Sequence, residues 1–276
     1  MNPIRDRGYL VLAVNTDTVD YIACARVLAM SIKTWHPGAE VCLVTDHQID
    51  EPIFDYIQTL PYGDQDPTGN WRLANDWQVF HASPFRQTIQ LEADMVLTGP
   101  IDHWWTQLAK HDVVLTLGCR DFYNRPAKSR AYRQVFDLNS LPDVYNAITY
   151  WRYSKPAFEF ASLVQDIFTN WPKYQECLRG GADITANTDL VYALAARILG
   201  EEHLTLPWAT YPSFTHMKAD HCYCAGEPWT EQLVWEFDQG KIRINTIAQE
   251  YPLHYHVKEF AHKLEPLYGQ LLASRN

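Results

Sequence analysis

Residues 88–97 have the sequence TIQLEADMVL, in which a short β-prone run carries two carboxylates into a second apolar run. A strand alternates its side chains, so Glu92 and Asp94 are expected to point the same way at its end. Two like charges on one side of a buried strand are costly unless something neutralises them. A divalent cation is the usual solution, because Mg²⁺ and Mn²⁺ prefer one or two carboxylates together with substrate phosphates. The stretch therefore predicts a metal-assisted site for a nucleotide-linked substrate.

The acidic pair in this stretch has two competitors, in a chain in which 33 of 276 residues are acidic. Asp64/Asp66 and Glu236/Asp238 have the same spacing. Prolines and a glycine surround the first pair, which predicts a loop. The second pair follows a Trp-rich stretch and precedes a glycine, which predicts a solvated helix end or a turn. Only the 88–97 pair lies in a hydrophobic strand context, where a salt-bridged strand end is the alternative to a metal site.

Length and composition predict one large folded domain. The chain has 276 residues, of which 47% are hydrophobic and 13% aromatic, enough for a substantial core. No apolar run approaches the roughly 18 residues that cross a bilayer. The polar residues 1–7 lead straight into a strand, which predicts that there is no signal peptide. We therefore expect a cytoplasmic protein without a membrane partner.

The cysteines indicate the redox compartment of the protein, and the net charge limits the kinds of partner that its surface binds. Six scattered cysteines lie mostly in apolar runs, which favours buried free thiols in a reducing cytosol over a disulfide framework. Cys222 and Cys224 lie near His216 and His221, but their spacing fits no standard zinc finger. The formal net charge of −10 disfavours non-specific binding of nucleic acid by the whole surface, and it leaves a local basic face open.

The first 45 residues predict a β-α-β unit. The apolar run over residues 9–14 is typical of a central strand covered on both faces. A helix is expected from about residue 19 to 35, with Asp17 as its N-cap, and a second strand over residues 41–45. Such a unit opens nucleotide-binding α/β folds. No Gly-rich phosphate fingerprint follows the first strand, which counts against a dinucleotide-binding Rossmann domain.

Further along, the hydrophobic pattern predicts more helices and strands. Residues 50–70 are expected to form a helix and then a loop. Residues 71–80 are expected to form a helix with Arg72, Asn75 and Gln78 on its exposed side. The other expected elements are helices over 100–110, 157–171 and 190–199 and strands over 112–117 and 146–151. The C-terminal third is expected to be mostly irregular.

Residues 120–133 form an unusual segment for an acidic protein. Five basic residues alternate there with Phe122, Tyr123 and Tyr132. One interpretation is a solvated loop that leads into a helix. The other is an acceptor-binding flap that contacts phosphate through arginine and stacks a ring on tyrosine.

The run LHYHVK over residues 253–258 is strand-like in pattern. Strand alternation would place His254, His256 and Lys258 on one side. A lone histidine in such a run is most often structural. Two histidines and a lysine on one face favour a site.

These pieces, in this order, resemble glycosyltransferases of the GT-A fold, with the layout of the family-8 group of retaining enzymes. The run VNTD over residues 14–17, followed by Asp20 and Tyr21 and by a helix that ends in residues 31–33, is similar to the family's first strand, nucleotide-contacting turn and helix. The resemblance spans about residues 9–258 and is one of pattern.

This resemblance implies the fold and its division. A three-layer α/β/α arrangement with a mixed, mostly parallel central sheet is expected. The chain 1–276 would be a single glycosyltransferase domain, with a nucleotide-binding half over about 8–117 and an acceptor-binding half over about 118–276.

A divalent metal, Mn²⁺ or Mg²⁺, is also implied. Residues 83–94 are similar to the run into the family's Asp-x-Asp motif, which holds the metal and the diphosphate. Glu92 stands in place of the first Asp and has a longer side chain. It could therefore contact a metal ligand, contact the ribose or bind the metal directly, and these three roles are left open. Lys258 resembles the lysine that meets the diphosphate. The implied metal ligands are Asp94, Glu92 and the closing histidine, for which both His254 and His256 are candidates.

The implied donor is a nucleotide sugar, a UDP-sugar first of all. Residues 146–147 match the strand that lines the donor sugar, and residues 187–189 occupy the place of the family's Asp-Gln-Asp. The expected catalytic residues are therefore Asn146, Asn187 and Asp189. The expected donor contacts are Val14, Asn15, Thr16, Asp17, Tyr21, Arg72, Glu92, Ala93 and Lys258.

The acceptor is the most open question. A looser resemblance connects the chain with bacteriophage glycosyltransferases, some of which add sugar to hydroxymethylated pyrimidines in DNA, and such a protein would work in the host cytoplasm. The basic segment suits that acceptor. The expected acceptor contacts are Tyr123, Arg125, Lys128 and Arg130. A glycan, a protein or a small molecule is the alternative acceptor, and a nucleotidyltransferase or a non-catalytic nucleotide-sugar-binding module is the rival class.

Overall fold

The structure is a computed structural model, and it describes residues 4–66, 72–128, 133–181, 183–206, 212–224 and 228–275. Within these residues the strands are β1 (Arg5–Leu12), β2 (Val41–Thr45), β3 (Tyr56–Thr59), β4 (Phe85–Glu92), β5 (Met95–Val96), β6 (Val113–Leu117), β7 (Cys119–Arg120), β8 (Pro126–Ala127), β9 (Val144–Arg152), β10 (Thr215–His216), β11 (Trp235–Asp238), β12 (Lys241–Ile244), β13 (Ile247–Ala248) and β14 (Leu253–His254). The helices are α1 (Tyr21–Trp35), α2 (Val79–Ala82), α3 (Asp102–Leu108), α4 (Gln134–Leu138), α5 (Lys155–Thr169), α6 (Trp171–Glu176), α7 (Thr188–Leu199), α8 (Glu201–Leu204), α9 (Ala219–Cys222), α10 (Trp229–Gln232) and α11 (Phe260–Ala273), with a 3-10 helix over Leu73–Gln78.

A six-stranded sheet forms the centre of the molecule, in the order β3-β2-β1-β4-β9-β6. Neighbouring strands are parallel from β3 to β4, and β9 runs antiparallel to both β4 and β6. The apolar run near the N-terminus lies in the middle of this sheet, where Leu10 and Val11 have no exposed surface. The predicted mixed, mostly parallel sheet is confirmed.

Helices cover both faces of the sheet. Tyr9 and Val11 of β1 belong to a buried cluster that includes residues of α1 and α11. Leu10 lies between them and points to the opposite face, where it belongs to a second buried cluster with α5 and α7. The predicted three-layer α/β/α arrangement is confirmed.

A second sheet begins where β4 ends. Its order is β5-β14-β10-β7-β8, and β5 follows β4 after a turn at Ala93 and Asp94. β14 lies between β5 and β10, and its pairing with β5 brings His254, 160 residues further along the chain, next to Asp94. A third sheet consists of β11, β12 and β13.

The segment after residue 50 differs from the predicted helix. The structure has β3 there, which extends the central sheet by pairing in parallel with β2. The carboxylate of Asp55 accepts a hydrogen bond from the N–H of Val41 at 2.8 Å and pairs with Lys33 at 2.6 Å. These contacts with residues distant in sequence fix the start of the strand. The predicted helix is wrong because tertiary contacts, which the local sequence pattern does not show, determine the conformation here.

The predicted helix over residues 71–80 is present from residue 73 as a 3-10 helix that continues into α2. The prediction that Asn75 and Gln78 are exposed is wrong, because both have no exposed surface. The side-chain oxygen Oδ1 of Asn75 accepts from the N–H of Gln65 at 2.7 Å, and the side-chain amide of Gln78 donates to the carbonyl oxygen of Gly63 at 2.8 Å. The polar side chains of the helix therefore form hydrogen bonds with backbone groups of the preceding loop instead of facing water.

The C-terminal third is more regular than predicted. Glu236 and Asp238, expected at a helix end or turn, lie on the outer face of β11. Helix α11 packs along α1, where Glu265 forms an ion pair with Arg26 at 2.9 Å. No helix within the described ranges is long and apolar enough to cross a membrane.

Candidate metal and donor site

The second sheet sets the geometry of the site at the end of β4. β4 ends at Glu92, Ala93 and Asp94 form the turn, and β5 pairs antiparallel with β14. The N–H of Tyr255 donates to the carbonyl oxygen of Asp94 at 3.1 Å. These backbone contacts hold His254 beside the Asp94 side chain.

Asp94, His254 and His256 form a group that is able to hold a metal ion. One ligand atom from each lies within 4.8 Å of the others. Nε2 of His254 is 2.8 Å from Oδ2 of Asp94, and both side chains are buried, whereas His256 is exposed. The predicted common face of a strand is wrong, because β14 ends at His254 and His256 has a left-handed φ of 62°. A turn, not strand alternation, brings the two histidines together.

Lys258 adds a positive charge to this group. Its Nζ donates a hydrogen bond to Oδ2 of Asp94. Burial alone would raise the pKa of Asp94, but the charges of His254 and Lys258 outweigh it and hold that pKa well below its usual range. Burial likewise opposes the charge on His254 and Lys258, and Asp94 outweighs it, so the pKa of each is raised.

The donor set fits a divalent ion. A carboxylate suits Mg²⁺ and Mn²⁺, and imidazole suits transition metals, so one carboxylate with two imidazoles fits a divalent transition-metal ion. Although part of the His256 side chain is exposed, the loss of water around its ring, together with the charges of His254 and Lys258, lowers the pKa of His256 to about 4. His256 is therefore neutral at pH 7, and a neutral imidazole has the free lone pair that ligation requires.

Glu92 is set apart from the three-residue group. Its Oε2 lies 3.3 Å from Nδ1 of His254, whereas Asp94 contacts the Nε2 atom of the same ring. Loss of hydration raises the pKa of Glu92 to about 7, and the charge of His254 only partly opposes this. The two acidic residues of the 88–97 stretch therefore have different surroundings.

Helix α1 begins next to the closing segment. The ring centroid of Tyr21 is 5.6 Å from Nζ of Lys258, and the Cys24 thiol lies 3.9 Å from the Lys258 carbonyl oxygen. In the turn before the helix, Asp17 is exposed and Val14 is buried. The structure thus brings Tyr21, one of the predicted donor contacts, to the Asp94 group.

The turn itself is held by its own polar side chains. Asn15 and Thr16 accept hydrogen bonds from backbone N–H groups near the start of α1, at 3.0 and 3.1 Å. The N-cap of α1 is Asp20, whose Oδ1 accepts from the N–H of Ala23 at 2.9 Å. The prediction that Asp17 is the N-cap is wrong, because α1 begins at Tyr21, later than expected.

Asp189 lies in the first turn of α7 and is fixed by two donors. Its Oδ1 accepts from the N–H of Asn146 at 2.7 Å, and its Oδ2 accepts from Nη2 of Arg133 at 2.8 Å. Arg133 has no exposed surface, and its guanidinium lies over the rings of Phe136 and Tyr145 at 4.4 and 3.5 Å. The Asp189 side chain is 15% exposed, so an anchored carboxylate stays open to a ligand.

Asn146 and Asn187 have structural contacts of their own. The Asn146 amide donates to the buried Asp76 carboxylate at 3.1 Å, and its oxygen accepts from Thr149 at 2.9 Å. Asn187 is the N-cap of α7, where its Oδ1 accepts from a backbone N–H in the first turn at 3.0 Å. Both residues support the elements that carry Asp189, and their predicted contact with the sugar stays a prediction.

Arg72 lies in a loop held by the Asp64/Asp66 pair. It forms an ion pair with Asp64 and donates to the carbonyl oxygen of Asp66 at 3.2 Å. The Asp64 carboxylate also accepts from Asn75 at 2.7 Å. The predicted loop is confirmed over its described residues, and this acidic pair is occupied by loop contacts.

The described cations of the basic segment have partners within the protein, and those among the predicted acceptor contacts have acidic ones. Arg125 pairs with the buried Asp121 at 2.9 Å, and Lys128 pairs with Asp137 at 2.7 Å. Arg130, the remaining basic residue among the predicted acceptor contacts, lies outside the described residues. The described cations therefore have internal partners in place of free positions for phosphate.

Tyr123 is the predicted acceptor contact with the most suitable surface. It is 44% exposed, and the 65% exposed Tyr223 lies beside it with ring centroids 6.2 Å apart. The hydroxyl of Tyr223 donates to Asp121 at 3.0 Å, which fixes the pair to the loop. The Arg125 guanidinium lies 4.5 Å from the centre of the Tyr123 ring, and the Phe122 ring is 4.1 Å from it, so Tyr223 is the freer ring of the pair for stacking.

The sequence did not indicate that His216 belongs to the site. β10 pairs with β14 so that His216 lies opposite His254, and their ring centroids are 4.6 Å apart. Burial, followed by the charges of neighbouring histidines, lowers the pKa of His216 well below its usual range. The strand is two residues long, too short for a periodic signal, so the proximity of these rings is set by tertiary structure alone.

No known protein-family profile matches the sequence, and no curated protein sequence does. Solved structures do match. A galactosyltransferase, LgtC, in complex with donor and acceptor sugar analogs shares 14% identity with a TM-score of 0.55, over 95% of this chain and 95% of that chain. An active-site mutant of the same enzyme shares 13% identity with a TM-score of 0.53, over 94% and 95% of the two chains. The glycosyltransferase GlyE of Streptococcus pneumoniae TIGR4 shares 7% identity with a TM-score of 0.44, over 73% and 45%. The two LgtC structures show that this chain has a GT-A-type fold.

Proposed function

We propose that the protein is a metal-dependent glycosyltransferase that moves a sugar from a nucleotide-sugar donor, a UDP-sugar first of all, to a hydroxyl acceptor. The observation that carries this proposal is the convergence of Asp94, His254, His256 and Lys258 at the end of β4. Within the described part of the chain, these three acidic and histidine residues form the only such ligand group. Their position in a GT-A-type fold supports the assignment.

The proposed reaction needs positive charge at the leaving group. Departure of a nucleoside diphosphate builds up negative charge, which a Mn²⁺ ion bound by Asp94, His254 and His256 would neutralise. Lys258 supplies a second positive charge beside the same ligands. The aromatic ring of Tyr21 lies next to this lysine and would bound the donor site on the side of α1.

We assign Asp189 to the donor sugar. Its carboxylate is anchored by Asn146 and Arg133 but keeps an exposed part, as a group that orients a sugar hydroxyl requires. Its negative charge also contributes to the raised pKa of Glu92, which supports a place near the metal group. We carry a retaining outcome over from the resemblance, and the anomer of the product, identified by NMR, tests it.

The proposed acceptor is a neutral hydroxyl compound that stacks on Tyr123 and Tyr223. The exposed rings support stacking, while Arg125 and Lys128 are neutralised by their acidic partners. A hydroxymethylated pyrimidine in phage DNA is the second candidate. Binding of DNA would weaken steeply with added salt, and a flat salt response excludes it.

The decisive experiment is a screen of nucleotide sugars with Mn²⁺, with release of nucleoside diphosphate as the readout. We expect the wild type to release it from at least one donor, and Asp94→Asn to lose on the order of 10²–10³ in rate because a ligand charge is removed. Asp238→Asn, on the exposed face of β11, is the matched control and should keep the wild-type rate.

Two outcomes would decide against a glycosyltransferase. If the wild type acts on no common donor and Asp94→Asn binds nucleotide sugars as well as the wild type does, a non-catalytic module remains. Release of pyrophosphate from a nucleoside triphosphate and a sugar phosphate would instead identify a nucleotidyltransferase.

A further inference from the structure

The two nitrogen atoms of the His254 ring have different neighbours. Nε2 lies 2.8 Å from Oδ2 of Asp94, and Nδ1 lies 3.3 Å from Oε2 of Glu92. The ring is buried, and Nδ1 makes no hydrogen bond in the present arrangement. An imidazole that binds a metal through one nitrogen carries its proton on the other, and that N–H needs an acceptor.

Glu92 lies on the wrong side of the ring to bind the same ion. Nε2 faces Asp94, a member of the ligand group, whereas Glu92 faces Nδ1 on the other side of the ring. The ligand atoms that come within 4.8 Å of one another belong to Asp94, His254 and His256, and Glu92 is outside that group. Its carboxylate is instead the acidic group that faces the N–H side.

We propose that Glu92 is a positioning residue, which accepts a hydrogen bond from Nδ1 of His254 and does not itself bind the metal. This inference rests on the proposed function, because it concerns the metal that Asp94, His254 and His256 would hold. The carboxylate fixes the tautomer in which Nε2 has a free lone pair and keeps the ring turned towards Asp94.

The length of the side chain fits this role. β4 ends at residue 92, so the backbone position of Glu92 is fixed by its pairing with β1. An aspartate at this position would be shorter by one carbon–carbon bond, about 1.5 Å, and from a separation of 3.3 Å it would lose contact with Nδ1. Glutamine has the same length, and its Oε1 is also an acceptor.

Glu92→Gln and Glu92→Asp therefore separate the two roles. We would measure Mn²⁺ affinity by calorimetric titration of the protein without donor. For a positioning residue, Glu92→Gln keeps the affinity within about 3-fold of wild type, and Glu92→Asp and Glu92→Ala lose about 10- to 100-fold. For a metal ligand the order is reversed, since aspartate keeps the charge and glutamine loses it, and that result overturns the proposal.

A second readout reports the His254 ring directly. With Zn²⁺ as a diamagnetic probe, long-range proton–nitrogen NMR should show His254 protonated at Nδ1 in wild type and Glu92→Gln. Metal bound at Nδ1 in the wild type would overturn the proposal. If the wild type binds neither Mn²⁺ nor Zn²⁺, the metal-dependent function itself fails, and a wild type that binds while all three variants bind equally well removes only the role of Glu92.

Discussion

At the scale of single residues, Arg133 is the charged side chain whose surroundings are most unusual. It has no exposed surface, and a buried charge is tolerated only when partners and hydrogen bonds replace water. Its partners include Asp189, Asp143, the carbonyl oxygen of Val144 and the rings of Phe136 and Tyr145. Removal of Arg133 therefore leaves the Asp189 carboxylate without its cation.

We predict that Arg133→Met lowers the free energy of unfolding by about 3–5 kcal/mol, the usual loss when one partner of a buried ion pair is removed. Urea unfolding followed by tryptophan fluorescence measures it. Lys128→Ala is the matched control from the same basic segment, because its ion pair with Asp137 is exposed, and it should cost less than about 1 kcal/mol. Similar losses for the two variants would show that Arg133 is not a buried anchor.

The sequence does not distinguish these basic residues from one another. Arg125, Lys128 and Arg133 belong to one short segment with alternating aromatic residues, and the whole segment was predicted to be either solvated or acceptor-binding. Arg133 is buried because α7 brings Asp189 to it from 56 residues further along the chain. The proximity of Asp94, His254 and Lys258 was easier to predict, since charged and titratable side chains in apolar runs usually need one another as partners, and their role in metal binding stays a prediction.

At the scale of elements, burial on both faces made some strands predictable. Continuous apolar runs identify β1, β2 and β6, because a strand covered on both faces has few solvent-facing side chains. β3 and β11 are four residues long, and their side chains alternate or vary in exposure without a continuous apolar run. Their strand conformation is therefore determined by the strands with which they pair. Helix α11 does carry a signal, with Phe260, Leu264 and Tyr268 four residues apart, but Pro266 within it is typical of a helix break.

The start of α1 allows a direct test of one misplaced boundary. We predict that Asp20→Ala lowers the free energy of unfolding by about 1 kcal/mol, because the N–H of Ala23 loses its acceptor at the helix N-terminus. Asp17→Ala should change stability by less than about 0.5 kcal/mol, since Asp17 is exposed. Thermal and urea unfolding of both variants measure the difference, and the opposite order would restore Asp17 as the N-cap.

At the scale of the whole molecule, the dependence of stability on pH is a sum of opposing contributions. Burial lowers the pKa of His36, His216 and His221, so protonation of these groups opposes folding. Glu92, with its pKa raised to about 7, and His254, with its pKa also raised, take up protons more readily in the folded state and act in the opposite direction. The pH dependence of the stability of the whole protein therefore does not reveal the contribution of any single group. That contribution has to be measured as the difference between the wild type and a variant.

His36 is suited to such a difference, because it lies away from the metal group and connects α1 with α3. Its Nε2 accepts from the N–H of Ile101 at 3.2 Å, and its Nδ1 lies 2.9 Å from the Asp102 carboxylate, so the neutral ring is bound at both ends. Burial lowers the pKa of His36, the charge of Asp102 opposes this, and Arg7 adds to the lowering. A lowered pKa means that the neutral ring stabilises the fold above the unfolded value of about 6.5, and that this contribution is lost as the pH falls through the folded value.

We predict that the stability lost in His36→Gln is largest at pH 8 and becomes smaller as the pH falls below 6.5, as measured by urea unfolding of both proteins from pH 8 to 5. A loss that is the same at every pH would mean that His36 titrates equally in the folded and unfolded states.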